Sequence, residues 1–410
     1  MFSMKKIRIL QINAVYGHGS TGTIVRDIEH LCYQNNIECF VASPDPMVTN
    51  ANNGYVIGNI IDHKLHAILA RANGAHAYFS HIPTFQLCRY IDKIQPDIVH
   101  IHNVHSNYLH FNMLLGHLAK RDIKTVLTLH DCWAYTGGCY HYTSVNCDRW
   151  QKTCGKCPKK MMDTPAFFLD ISSKILADRK KYIMSIPRLI ITGVSKWISD
   201  ECKKSVLKDA KIITIHNGVD LDIFKPTPIP DSSLDLRNLK VSLSGKRIIL
   251  APATKWLLPI NRKVLDYFSS HMNDSDVLLL YGVYDTPPLL PPNVVAYGYT
   301  KSREDMAALY TMADVLVNCS REESLSLVNV ECQACGTPVV TFDATAPKET
   351  VDNINSFSVK AGDEKELFRM TLSILENKAQ EKSEACRSFV EKKFEINKNY
   401  QKYIELYRTL

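Results

Sequence analysis

Residues 320–340 read Ser320-Arg321-Glu322-Glu323-Ser324-Leu325-Ser326-Leu327-Val328-Asn329-Val330-Glu331-Cys332-Gln333-Ala334-Cys335-Gly336-Thr337-Pro338-Val339-Val340. The apolar Val315 to Val317 just before it predicts a strand, and the run itself predicts loop, helix, stop and strand. Ser324 or Ser326 is expected to cap the helix. Gly336 ends it and Pro338 prevents its return. Such a loop leaves backbone N–H groups at a helix N-terminus, a seat for phosphate. Glu323 falls in the loop and Glu331 about two turns into the helix, so the pair is expected to hold hydroxyls on either side of a bound diphosphate.

Outward from this run the chain alternates strand and helix. In the second half strands are expected at Arg247 to Ala251, Val277 to Tyr281, Val294 to Ala296, Asp314 to Val317 and Pro338 to Thr341. In the first half they are expected at Ile7 to Ile12, Glu38 to Ala42, Asp97 to Ile101, Thr125 to Leu129, Leu189 to Gly193 and Lys211 to Ile215. Helices are expected at about Thr23 to Gln34 and Tyr108 to Lys120. Apolar strands without polar alternation imply parallel sheets covered on both faces, an α/β architecture of two doubly wound domains. Between the halves, His216 to Lys246 has the Asn, Gly, Asp, Pro and Ser content of a linker. The expected boundaries are 1–215 and 216–395, with a helix in 396–410 that crosses back to the first domain. Ligands of open α/β sheets bind in the crevice at the carboxyl ends of the strands, so the cleft between two such domains is the default site.

The 410 residues suffice for two cores, and 45% hydrophobic with 22% charged residues is the composition of a soluble globular protein. No run of eighteen apolar residues predicts a membrane span. Lys5, Lys6 and Arg8 precede an apolar run broken by Gln11 and Asn13, which fits a first strand better than a secretory leader, so a cytoplasmic location is expected. Residues 1–195 carry 21 Lys and Arg against 13 Asp and Glu, and the rest carries 28 against 29. A basic first half points to an anionic membrane surface, peripheral on the inner face of the cell membrane, or to an acidic acceptor. No basic helix or aromatic ladder points to nucleic acid. Thirteen cysteines, an odd number, argue against a disulfide framework.

The 320–340 run closely resembles the family 4 retaining glycosyltransferases of bacterial polysaccharide biosynthesis, which have the GT-B fold. The match lies in Glu323, seven intervening residues and Glu331, followed by Ala334-Cys335-Gly336-Thr337-Pro338-Val339-Val340. The resemblance implies that Glu331 binds the ribose hydroxyls of a nucleotide sugar and that Glu323 contacts the donor hexose. Ser324, Leu325 and Ser326 would face the diphosphate. The loop Gly17 to Gly22 follows the first strand as the family's glycine-rich loop does, and Gly19, Thr21 and Gly22 would let its backbone approach diphosphate or acceptor. The same glycines fit a dinucleotide pattern, but no ribose-binding acid follows at the usual distance and Asp45 lies late. His216-Asn217-Gly218-Val219-Asp220 matches the family's linker. Asp220 and Asp222 read as turn chemistry there rather than as a metal site.

His102 and His130 end neighbouring strands, where the family places histidines near the donor hexose, and both are expected at the reaction centre. His100 shares a face with His102 if the strand continues that far. For the diphosphate the family supplies an arginine and a Lys-Gly after the first strand of the second domain. This chain has neither: Lys255, Arg262 and Lys263 are the available cations, Lys263 foremost, and Val264 stands where glycine is usual. Cys139, Cys147, Cys154 and Cys157, with His141 as an alternative ligand, have spacing that a structural zinc or paired disulfides would use. Cys332 and Cys335 read as small packing residues.

Together these readings imply transfer of a hexose, with retention, from a nucleotide diphosphate sugar to a glycan or lipid-linked acceptor hydroxyl in capsule, exopolysaccharide or lipopolysaccharide biosynthesis. No cofactor is required for catalysis in the family. A catalytically silent nucleotide-sugar binder, or a nucleotide-sugar epimerase, are the alternatives, the first motivated by the missing cation pattern.

Overall fold

A computed structural model describes residues 6–227, 243, 245–283, 289–377 and 380–410. Residues 228–242, the middle of the expected linker, lie outside it. The chain forms two compact units, Met1–His216 with Tyr400–Leu410, and Asn217–Asn399.

The first unit runs β1 (Arg8–Ile12), α1 (Gly19–Gln34), β2 (Glu38–Ser43), β3 (Gly54–Val56), α2 (Ile60–Asn73), α3 (His81–Ile94), β4 (Ile98–Ile101), α4 (Phe111–Lys120), β5 (Lys124–Leu129), α5 (Ser172–Ile183), β6 (Leu189–Gly193), α6 (Lys196–Cys202) and β7 (Lys211–Thr214). Its seven strands pair in parallel in the order β3-β2-β1-β4-β5-β6-β7. The order reverses between β1 and β4, so the loops leaving these two strands open the crevice where such sheets take ligands. Leu10, Ile12, Val99, Ile101, Leu127 and Leu129 fill the core under them. The unbroken apolar strands follow from both faces being covered.

The second unit runs β8 (Arg247–Pro252), α7 (Ala253–Trp256), α8 (Arg262–His271), β9 (Asp276–Tyr281), β10 (Val294–Tyr297), α9 (Arg303–Met312), β11 (Val315–Asn318), α10 (Leu327–Ala334), β12 (Val339–Asp343), β13 (Phe357–Lys360), α11 (Glu364–Glu376) and α12 (Gln380–Lys393). Its six strands are parallel, in the order β10-β9-β8-β11-β12-β13. Here the reversal falls between β8 and β11, and β11 leads into the 320–340 run. The last helix, α13 (Ile396–Thr409), gives Tyr400–Leu410 to the first unit, where the Tyr407 hydroxyl lies 2.6 Å from His100 Nδ1.

Three details differ from the expectations. Helix α1 starts at Gly19 rather than near Thr23, so Thr21 and Gly22 lie in its first turn. A Cβ on Gly22 would stand 3.2 Å from the backbone nitrogens of Tyr16 and Gly17, and that close approach is the reason for glycine there. Residues 54–94 add β3, α2 and α3, which the alternation left out. Helix α10 starts at Leu327, which puts Glu331 one turn in rather than two.

Candidate functional site

The carboxyl ends of β8 and β11 gather Lys255, Arg321 and Glu323. Lys255 leaves β8 on the single turn of α7, and its Nζ stands 3.4 Å from Glu323 Oε1. Asn261, buried, holds the group together. Its Nδ2 donates to the carbonyls of Lys255 and Cys319 at 3.0 Å each, and its Oδ1 accepts from Arg321 Nε at 3.0 Å. The Glu323 backbone is fixed in turn by Thr345 after β12: Glu323 N donates to Thr345 Oγ1 (3.1 Å) and Thr345 Oγ1 donates to Glu323 O (2.8 Å). Two cations and a carboxylate are thereby set on a rigid frame at the switch point of the sheet.

The start of α10 is built by the last residue of β11. Asn318 Nδ2 lies 3.0 Å from both Ser326 Oγ and Asn329 Oδ1, while Asn318 Oδ1 accepts from Ser320 N. Asn329 and Gln333 continue the network to Thr350. Ser326 sits in the left-handed region at φ 76°, and its hydroxyl is taken by Asn318, so it makes no cap bond. Of the two expected caps, Ser326 is therefore corrected. It gives the N–H groups of the first turn no side-chain cap bond, and a helix N-terminus of this kind attracts an anion. At the other end, Gly336 takes φ 86° and Thr337 N bonds back to Cys332 O (3.1 Å), the left-handed stop that residue 336 predicted.

Glu331 points from α10 towards α9. Burial pushes its carboxyl up to about 7, opposed by the Tyr310 hydroxyl, 3.1 Å from Oε2, and by the charge of Arg303. Tyr281, at the end of β9, has a buried hydroxyl that senses the Tyr310 hydroxyl and the charges of Glu331 and Glu323. Arg262 and Lys263 follow Asn261 in the chain. Both are exposed on the first turn of α8, and Arg262 Nε pairs with Asp266 at 2.8 Å. The helical period turns Val264 inward and these two outward. Arg321 was legible two residues before Glu323; Asn261 and Tyr281 carry no local signal.

A cavity of about 330 Å³, lined by Asp314, Gly336, Thr337 and Pro338 among others, contains neither glutamate. It sits at the amino ends of β11 and β12, the end of the sheet that such folds do not use for ligands.

In the first unit, the loops after β1, β4 and β5 bring their residues together. Asn13 Nδ2 donates to Val15 O (2.8 Å) and Asn13 Oδ1 accepts from Asn103 N (3.1 Å), tying the glycine loop to the end of β4. Gly19 and Thr21 sit at the start of α1, and His18 beside them pairs with Asp45 at 2.6 Å. Asp45 also accepts from Tyr16 N and Met47 N, so it is an anchor of this loop rather than a ribose ligand. His102 Nδ1 lies 3.0 Å from His130 Nε2, and His102 Nε2 lies 3.2 Å from Gln11 Oε1. Gln11 Nε2 donates to Val25 O, so its oxygen must face His102. His102 therefore carries its hydrogen on Nε2 and accepts at Nδ1 from His130 Nε2–H, which leaves His130 Nδ1 as the lone-pair nitrogen. Burial keeps both rings neutral, His130 at about 4 and His102 well below its ordinary value. His100 is a core residue, bonded to Tyr407 and Thr128.

Cys139, Cys147, Cys154 and Cys157 line one small pocket with Trp150, and all four are unbridged. Among the described residues no group of three or more His, Cys, Asp or Glu is arranged to hold a metal ion. Burial pushes Cys139 up to about 12 and Cys154 to about 11. His141 is turned away, stacked on Trp197. The zinc expectation is thus not supported. The segment is held instead by Arg179, buried and stacked 3.5 Å over Trp133, which donates to the carbonyls of Trp133 and Thr136. Asp220 Oδ1 accepts from Asp222 N, which is turn chemistry.

Residues 262–377 match the family model described as glycosyl transferases group 1, and residues 34–223 match that of glycosyltransferase family 4. The chain carries glycosyltransferase domains in both halves, on the GT-B fold. It is similar to the putative colanic acid biosynthesis glycosyl transferase WcaC of Escherichia coli strain K12, 24% identical over 286 residues and 67% of each chain. Among solved structures it resembles a glycosyltransferase from Rickettsia africae (TM-score 0.68, 18% identity, 98% of each chain). It also resembles Anabaena Alr3699/HepE in complex with UDP-glucose (TM-score 0.64, 14% identity, 98% of this chain and 100% of that one). No helix among the described residues is long and apolar enough to cross a membrane.

Proposed function

We propose that the protein transfers a hexose, with retention, from a nucleotide diphosphate sugar to a hydroxyl of a glycan or lipid-linked acceptor in the assembly of a bacterial surface polysaccharide. The observation that carries this reading is the convergence of Glu323, Lys255, Arg321, the start of α10 and Glu331 around one end of the second sheet. Glu331 receives the ribose hydroxyls. The first turn of α10, with Lys255 and Arg321, neutralises the diphosphate, the largest electrostatic task of the reaction. Glu323, steadied by Lys255, receives hydroxyls of the hexose. In the reaction the bond from the anomeric carbon to the leaving phosphate oxygen breaks, and a bond to the acceptor oxygen forms on the same face. The acceptor proton passes to the leaving phosphate. His130, through its lone-pair Nδ1, orients a hydroxyl of donor or acceptor. WcaC and HepE support the reading by what their names state, colanic acid biosynthesis for one and a complex with UDP-glucose for the other.

Lys255 and Arg321 favour turnover over the silent-binder reading, because in this reading they supply the charge of the missing family cations. The test is incubation with a panel of nucleotide hexoses, following release of the nucleoside diphosphate and the anomeric configuration of the product by NMR. A retained configuration supports the proposal. An inverted product contradicts retention, and nucleotide binding without turnover of any donor contradicts the enzymatic reading.

A further inference from the structure

Among the described residues, more than half of the large apolar side chains that stand exposed fall in two short stretches, 60–85 and 161–169. Helix α2 is inside out. It buries His66 and Ala70 and leaves Ile61 (74% exposed), Leu65 and Ile68 (65%) to solvent. Ile82 at the start of α3 (70%) and Phe168 (79%) extend the same surface. The pieces are joined by bonds. Phe167 N and Phe168 N donate to the carbonyls of Arg71 and Ala72 at the end of α2, and His66 Nδ1 lies 2.8 Å from Ser80 Oγ just before α3. A contiguous apolar face of this kind on a water-soluble fold marks a contact surface.

Charge identifies its occupant. Lys64 and Arg71 on α2 and Arg89 on α3 are exposed around the apolar side chains. The carboxylates of the same stretches are engaged within the fold. Asp62 accepts from Asn59 N in the capping box of α2, Asp92 pairs with His117 and Arg121, and Asp163 accepts from Tyr140 N and pairs with Lys159. Two copies meeting through this face would bring like charges together, which disfavours self-association. An amphipathic surface with apolar side chains rimmed by cations instead fits the interface of an anionic bilayer.

We propose that α2, the start of α3 and the 161–169 segment form the surface by which this protein docks on an anionic lipid bilayer, with the apolar side chains entering the acyl boundary and Lys64, Arg71 and Arg89 meeting lipid phosphates. The inference rests on the proposed lipid-linked acceptor for its purpose only, since docking is read without any nucleotide. The experiment is flotation of the full chain with vesicles of phosphatidylcholine alone and of phosphatidylcholine with about a third phosphatidylglycerol, a fraction at which the surface potential attracts cations. The wild-type chain is expected to float with the anionic vesicles and less with the neutral ones. Ile61→Glu with Phe168→Glu is expected to lower binding at least about tenfold. Lys64→Glu with Arg71→Glu is expected to act in the same direction and to remove the salt dependence. All these residues are exposed, so thermal midpoints and nucleotide titration in solution should stay as in the wild type. Indifference of the wild type to both vesicles, or undiminished flotation of the glutamate variants, overturns the proposal. So does a wild-type dimer in solution that Ile61→Glu dissociates, because the occupant would then be a second copy.

Discussion

Lys255 Nζ stands 3.4 Å from Glu323 Oε1, joining the residue that follows β8 to the loop that follows β11. The two strands are neighbours in the sheet although more than sixty residues separate the side chains in sequence. The pair is partly exposed, so its own contribution to stability is small, about 0.5 kcal/mol. Its consequence lies in ligand binding. Lys255→Ala is expected to weaken affinity for a nucleoside diphosphate about tenfold, from one charge-assisted hydrogen bond to phosphate, with the thermal midpoint little changed. Isothermal titration with UDP and GDP checks this; an unchanged affinity would remove Lys255 from the diphosphate site.

Glu331 has a folded value of about 7, above the ordinary carboxylate value of 4.5. The folded state therefore holds a proton that the unfolded state has released between these limits, and stability falls as pH rises through the window. Glu331→Gln, which cannot ionise, should leave the thermal midpoint near that of the wild type at about pH 5 and raise it at about pH 8. Ribose hydroxyls donate to the ionised carboxylate, so nucleotide affinity of the wild type should rise over the same range. Scanning calorimetry and titration at the two pH values test both signs.

Gln11 acts on His130 through His102 and touches no substrate in this account. Gln11→Leu removes the acceptor that fixes the His102 tautomer, and kcat should drop about tenfold while affinity for the nucleotide stays. Gln11→Glu keeps an acceptor oxygen and should retain more activity. Nitrogen-15 shifts of the His130 ring provide the decisive readout: hydrogen on Nε2 in the wild type, and a mixture in Gln11→Leu. A wild-type ring protonated on Nδ1 would contradict the relay.

Much of this architecture was written locally. The apolar strands β1, β4, β5, β8, β9, β11 and β12 are runs that both covered faces require, and they fall within a residue or two of where the sequence puts them. Gly336 and Pro338 mark the end of α10 for the same local reason. What was not legible depends on partners brought by the sheet. Asn261 matters because β8 and β11 are adjacent, and Ser326 fails as a cap because Asn318 claims its hydroxyl. Helix α2 had a local start signal in its Asn59–Asp62 capping box, and only its partners show that its apolar side faces outward. The place of Arg262 and Lys263 in the chain says nothing of which way they face; the period of α8 decides that.

The account turns on the Glu331 carboxylate as the receiver of the ribose hydroxyls. Titration of Glu331→Ala with UDP and GDP, beside the wild type at the same pH, tests this most directly. Loss of hydrogen bonds to an ionised group predicts affinity lower by about a hundredfold, with circular dichroism unchanged. A variant that binds the nucleotide as tightly as the wild type would contradict it.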